Sequence, residues 1–191
     1  MKRQEDFLEK LIEKLNEQNI PYMLSGSVSS SFHGQPRATR DVDIVIAPTE
    51  KQLLDFVNSL GEDYYVSLEA VRQALAHKST FNVIDNQTGS KVDFIIRKDR
   101  PFSQQEFRRR CTVKIKGIDV WATSPEDTIL SKLEWAKDSH SEQQFRDALG
   151  VAVVQWDCLD MDYLYKWAHQ LQVESSLKQM LEQAKKLLEA K

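Results

Sequence analysis

The sequence predicts an α/β (α+β) protein: a mixed-sheet core with helices on one face and an open opposite face, followed by a C-terminal helical subdomain. Three observations predict it. Up to about residue 122, short apolar runs of strand period interleave with helical stripes. From Ser124 onward the pattern is helix after helix, with no strand-like run. A chain of 191 residues with 41% hydrophobic and 29% charged residues is long and apolar enough to bury a sizeable interior. The expected division is a core over 1–122 and a helical part over 123–191.

Phe7, Leu8, Leu11, Ile12 and Leu15 recur at helical spacing, so a helix is expected over 5–18, ended by Asn19 and Pro21. Tyr22-Met23-Leu24 reads as a short buried strand, followed by Ser25-Gly26-Ser27 and a small-residue stretch of helical turns up to Gly34. Residues 41–47 alternate into a strand, and Pro48-Thr49-Glu50 opens a helix to about Leu60. A helix over 68–77 precedes strands over 80–84 and 91–97, joined by the hairpin signal Asp85-Asn86-Gln87-Thr88-Gly89. A second hairpin is expected over 110–121, turning at Lys116-Gly117. Ser124-Pro125-Glu126-Asp127 is a helix start: a Ser cap, Pro at the first position and an acid at the third.

Composition excludes several classes. A net charge of −3 argues against a general nucleic-acid-coating protein, although a local basic patch is compatible with it. No apolar run approaches the ~20 residues of a membrane helix, and the opening MKRQEDFLEKLIEKL is amphipathic rather than a signal peptide. Cys111 and Cys158 make neither a metal-ligand pattern nor a disulfide framework. A cytoplasmic location is the default expectation.

Chemistry concentrates in Gly26-Ser27, then Gly34 to Arg40, then Asp41-Val42-Asp43. On a strand, Asp41 and Asp43 share one face, their Cα atoms roughly 6.5 Å apart, while Val42, Ile44 and Ile46 take the other. Like charges so placed raise each other's pKa unless a cation joins them, and hard oxygen ligands suit Mg²⁺. Asp93 projects from the face opposite Val92, Phe94 and Ile96. If the two strands are neighbours, three carboxylates converge on one open sheet face, as two-metal catalysis requires. Gly26 lets the backbone pass close to a phosphate, and Ser27 adds a hydroxyl and the free N–H groups of a helix start.

These residues resemble the DNA polymerase β-like nucleotidyltransferase superfamily, and within it the small prokaryotic branch of AbiEii/AbiGii-type toxins. The resemblance rests on Gly26-Ser27, Gly34-x-x-Arg37-x-Thr39, Asp41-x-Asp43 and Asp93, with Ser124-Pro125-Glu126-Asp127, Lys132-Leu133-Glu134 and Arg146-Asp147 further on. It implies transfer of a nucleoside monophosphate from a nucleoside triphosphate to an acceptor with Mg²⁺, the toxins' acceptor being a tRNA end. By the resemblance Ser27 holds the triphosphate, Asp41 and Asp43 ligate the metals, and Asp93 is base or third ligand. Lys132 matches a phosphate-contacting lysine, and Asp147 the acid of the last motif.

Simpler roles compete. Arg37 suits a triphosphate through its guanidinium fork, yet both Arg37 and Arg40 could neutralise the carboxylates without metal. Lys132 is equally a solvated partner of Glu134 or Asp127, and Asp147 pairs with Arg146 or Lys132. His33 is expected to be structural. Arg97, Lys98, Arg100 and Arg108-Arg109-Arg110 form either a solvated helix end or a track for a nucleic-acid backbone. Trp156, Tyr163, Tyr165 and Trp167 read as helical core. The stripe Leu177, Leu181, Ala184, Leu187 and Leu188 packs on its own chain or on a second copy. Three functional readings stay open: a toxin-like enzyme acting on RNA, an enzyme acting on a small-molecule or protein hydroxyl, and a catalytically idle partner of an antitoxin.

Overall fold

The computed structural model describes residues 2–36, 41–115 and 117–190, the first four by backbone alone. Helix α1 (Lys2–Glu17) leads into strand β1 (Tyr22–Ser25), helix α2 (Gly26–His33) and strand β2 (Val42–Ile46). Helix α3 (Glu50–Ser59), strand β3 (Tyr64–Tyr65), helix α4 (Leu68–His77) and the hairpin β4 (Thr80–Asp85) and β5 (Lys91–Ile96) follow. Helix α5 (Pro101–Arg108) precedes the hairpin β6 (Cys111–Ile115) and β7 (Ile118–Ala122). The remainder is α6 (Pro125–Ser139), α7 (Glu142–Gln155), α8 (Met161–Leu171) and α9 (Glu174–Glu189). The architecture is a mixed sheet with flanking helices and a C-terminal helical subdomain.

The seven strands run in the order β3-β4-β5-β2-β1-β7-β6. At the centre β2 and β5 are parallel, Asp43 lying beside Asp93, while β1 pairs antiparallel with β2 and parallel with β7. Strand alternation then sorts the side chains. Val42, Ile44, Ile46, Val92, Phe94 and Ile96 are buried on one face. Against them pack Phe7, Leu11 and Leu15 of α1, Leu53 and Phe56 of α3, and Val71 and Ala74 of α4. Phe94 anchors this layer, stacked on Phe81 and edge-on to Phe56, with ring centroids 5.3 Å apart in each pair. The opposite face carries Asp43, Val45, Asp93 and Ile95 and looks into a cleft.

Sequence chemistry places the element ends. Thr49 and Gln52 form a reciprocal capping box on α3, Ser67 caps α4 and Ser124 caps α6 with Pro125 behind it. A second apolar cluster joins Phe102 of α5 to Ile129, Leu130 and Leu133 of α6, Ala148 and Val151 of α7, Leu164 and Trp167 of α8, and Leu177 and Met180 of α9.

Several expectations are corrected. Asp41 lies just ahead of β2, not within it, and is exposed. Two elements add to the expected order: the segment over 101–108 is a helix whose Phe102 and Phe107 are buried, and β3 is a two-residue strand extending the sheet. Tyr165 is 46% exposed rather than core. The C-terminal stripe packs on its own chain through Leu177, Leu181 and Ala184, leaving Leu187 49% exposed. Among the described residues, no helix is long and apolar enough to cross a membrane.

Candidate active site

A cleft of ≈ 460 Å³ opens on the uncovered sheet face, floored by Asp43 and Asp93 and walled on one side by α6. Its floor is set by register. In parallel neighbours β2 and β5, the aligned pair Asp43 and Asp93 points the same way across one inter-strand spacing, ~4.8 Å.

Gly26 closes on this floor from β1. Ser25 is the register partner of Asp43, and Gly26 adopts φ +61°, a left-handed conformation that glycine enters without steric cost. A Cβ at Gly26 would collide with the Asp43 carboxylate, its Cγ only 3.0 Å away. Ser27 continues into α2. That helix stands on a hydroxyl pedestal: Ser29 Oγ meets Thr123 Oγ1 and Thr128 Oγ1, and the buried His33 donates Nε2–H to the Thr123 carbonyl at 2.7 Å. Burial lowers the His33 pKa, opposed by this hydrogen bond and by the charge of Glu126. At the other end Gly34 packs against α7 so tightly that a Cβ would lie 2.8 Å from the Val151 amide nitrogen.

Each carboxylate has a distinct environment. The Asp43 pKa is raised, first by burial and then by Asp93, with Asp41 adding and Lys132 and Lys91 opposing. Asp93 is held on both sides. Asn82, its register partner on β4, donates from Nδ2 to Oδ1, and Lys91 Nζ lies 2.9 Å from Oδ2. Asp41 is near enough for its charge to reach Asp43. The expected convergence of three carboxylates is thus a pair with Asp41 standing off, and among the described residues no three His, Cys, Asp or Glu side chains form a metal-binding group.

Lys132 is only 2% exposed. Its Nζ sits 2.9 Å from Asp147 Oδ2 and 3.5 Å from Ser27 Oγ, while Gln143 donates to Asp147 Oδ1 at 2.8 Å. The solvated alternatives are therefore excluded: Lys132 points inward at the helix start of α2, and Arg146 pairs with Glu142 instead. The candidate nucleotide contact Arg37, with Thr39 and Arg40, lies outside the described residues.

The basic cluster is largely spent within the fold. Arg100 makes two 2.6 Å bonds to Glu134. Arg109 pairs with Glu126 and Asp127 and lies 3.8 Å above the Tyr163 ring, and Arg110 stacks on Phe107 and Trp121. Lys98 and Arg108 are exposed. The α5–α6 side of the cleft carries Glu106, Glu134, Asp138 and the half-exposed Trp135. Glu106 accepts from Ser131 at 2.7 Å, and burial pushes its pKa up to about 8.

Sequence reasoning passed over Asn82, Lys91, Glu106, Trp135 and Gln143. The first two were within reach: counting back from the turn that starts at Asp85 sets 82 opposite 93, and 91 shares the face of 93. Glu106 and Trp135 meet only through packing of α5 on α6.

The geometry matches a charge-handling cleft: hard oxygen donors on adjacent strands, a glycine pressed on one of them, and a buried ammonium at a helix start. Such a donor set fits Mg²⁺, with the Asp43 pKa raised first by burial and then by the Asp93 charge that a joining cation offsets. A family model described as nucleotidyltransferase of unknown function (DUF6036) matches residues 4–186. Among solved structures, the fold is similar to ANT(2'')-Ia in complex with adenylyl-2''-tobramycin, at 15% identity and TM-score 0.59, over 89% of this chain and 97% of that one. It is similar to an antigenic nucleotidyltransferase-like protein from Paracoccidioides brasiliensis, at 17% and 0.58, over 94% and 92%. It is also similar to the lincosamide antibiotic adenylyltransferase LnuA, lincomycin-bound, at 12% and 0.51, over 81% and 98%. At these identities the likeness is one of fold. No curated protein matches by sequence.

Proposed function

The chain belongs to the family described as nucleotidyltransferase of unknown function (DUF6036), and on that premise we propose that it moves a nucleoside monophosphate from a nucleoside triphosphate to an acceptor hydroxyl with Mg²⁺. The observation that carries the reading is the side-by-side pair Asp43 and Asp93 beneath Gly26, with the Lys132 ammonium at Ser27.

In this reading Asp43 and Asp93, with Asp41 alongside, hold Mg²⁺, which when bound supplies Lewis acidity to the acceptor oxygen and offsets charge on the leaving pyrophosphate. Gly26, Ser27 and the first N–H groups of α2 grip the triphosphate, joined by Lys132, which Asp147 aims. The acceptor oxygen attacks the α-phosphorus, the bond from that phosphorus to the bridging oxygen breaks, and pyrophosphate leaves. Asp93 takes the hydroxyl proton. Fixing the reactants in line and neutralising charge supply the acceleration.

A small hydroxylated molecule is the better-supported acceptor. A tRNA end, which the toxin resemblance implies, needs free cations along its phosphates, and here Arg100, Arg109 and Arg110 are engaged internally. Glu134, which holds Arg100, and Asp138 line the wall such a backbone would pass, beside the exposed Lys98. ANT(2'')-Ia and LnuA are described with small antibiotics, and the same size class of acceptor is proposed here. An antitoxin or a second copy of this chain gains no specific support from the fold.

The test is label transfer from each α-labelled triphosphate with Mg²⁺ into small-molecule extract, protein and total RNA. Wild type should label the small-molecule fraction, and Asp43→Asn should lose at least ~100-fold of that transfer. Label in RNA alone would restore the toxin-like acceptor, and equal transfer by Asp43→Asn would end the assignment of this site.

A further inference from the structure

We propose that Lys91 is a built-in competitor for the divalent cation at Asp93: its ammonium holds Oδ2 in the metal-free chain and gives way when a cation binds. The inference rests on the metal reading above and goes beyond it.

Three observations converge. Lys91 and Asp93 are two residues apart on β5, hence on one face, and Nζ stands 2.9 Å from Oδ2 on the cleft side of the sheet. Asn82 holds the other oxygen from the neighbouring strand, so the carboxylate cannot turn away and offer the cation a different edge. The Lys91 side chain is 41% exposed, so its flexible stem can swing the charge into water at little cost.

Electrostatics makes the two occupants exclusive. Mg²⁺ binds a carboxylate oxygen at ~2.1 Å. An ammonium on that same oxygen would leave two cations within a few ångströms, where repulsion is strong even at a protein surface. Asn82 stays bound throughout and acts as a positioning residue for the carboxylate plane.

The experiment is Mn²⁺ binding to the full, nucleotide-free chain, followed by the electron paramagnetic resonance signal of free Mn²⁺. Wild type, Lys91→Met, Lys91→Arg, Asp93→Asn and Lys91→Met/Asp93→Asn are compared. Removing the ammonium should tighten Mn²⁺ about fivefold, the equivalent of breaking one exposed ion pair. Lys91→Arg should stay close to wild type, and Lys91→Met should give no gain once Asp93 is Asn. Unchanged or weaker binding in Lys91→Met, or a gain that persists without Asp93, overturns the inference while leaving the nucleotidyltransferase reading intact. Failure of every variant, wild type included, to bind Mn²⁺ overturns both.

Discussion

Gly26 shows how tightly single atoms constrain this cleft. Its φ of +61° disfavours any side chain, and the space where a Cβ would go belongs to the Asp43 carboxylate. Gly26→Ala therefore carries two penalties, backbone strain of order 1 kcal/mol and displacement of the aspartate. We expect a urea midpoint lower by an amount equivalent to about 1–3 kcal/mol, together with weakened Mn²⁺ binding. Unaltered binding would mean that β1 shifts instead of the carboxylate. The same atom-level view explains what was legible. Alternation put Asp43 and Asp93 on the polar face, and Gly26-Ser27 at a strand-to-helix junction, correctly from sequence. The Lys132–Asp147 pair was legible only as one of two alternatives, because Asp147 and Ser27 lie 15 and 105 residues away from Lys132.

At the level of elements, α5 marks the boundary of what the sequence discloses. PFSQQEFR has Pro at its first position and two buried phenylalanines, yet it is only eight residues long and sits amid arginines that draw attention to charge. Which acids meet those arginines depends on how α6 docks, and local pattern is silent on that. The packing of α5 on α6 has a measurable signature. Glu106 is 9% exposed, faces the charges of Asp127 and Glu134, and is helped by Ser131 and Arg100. With its pKa raised from 4.5 to about 8, the folded chain retains a proton that the unfolded chain releases. Its contribution to stability is complete below pH 4.5 and is lost as pH rises through about 8. Glu106→Gln should flatten the decline in urea midpoint between pH 5 and 8, and an undiminished decline would place the titration elsewhere.

Over the whole molecule, two apolar cores meet around one polar seam. The sheet core supplies Asp43, Asp93 and α2, and the helical core supplies Lys132 and Asp147, 3% and 5% exposed at their side chains. Breaking that buried pair removes the carboxylate 2.9 Å from the Lys132 ammonium: Asp147→Asn should cost about 3 kcal/mol. The double change Lys132→Met/Asp147→Leu should recover most of that stability in denaturant titrations while nucleotide binding stays lost. If binding survives in the double variant, the ammonium serves packing alone. The overall plan was readable because both cores announce themselves by period, strand in the first and helix in the second. Their docking was not, since the seam is built from residues that periodicity treats as surface.

Helix α2 crosses that seam with no slack at either end: Gly26 is pressed on Asp43, and Gly34 on the backbone of α7. Eight helical residues make a strut about 12 Å long. A ligand that displaces its first turn should therefore move its far end too, and the backbone amides at Val151, one helical turn beyond Asp147 on α7, are the place to look for it.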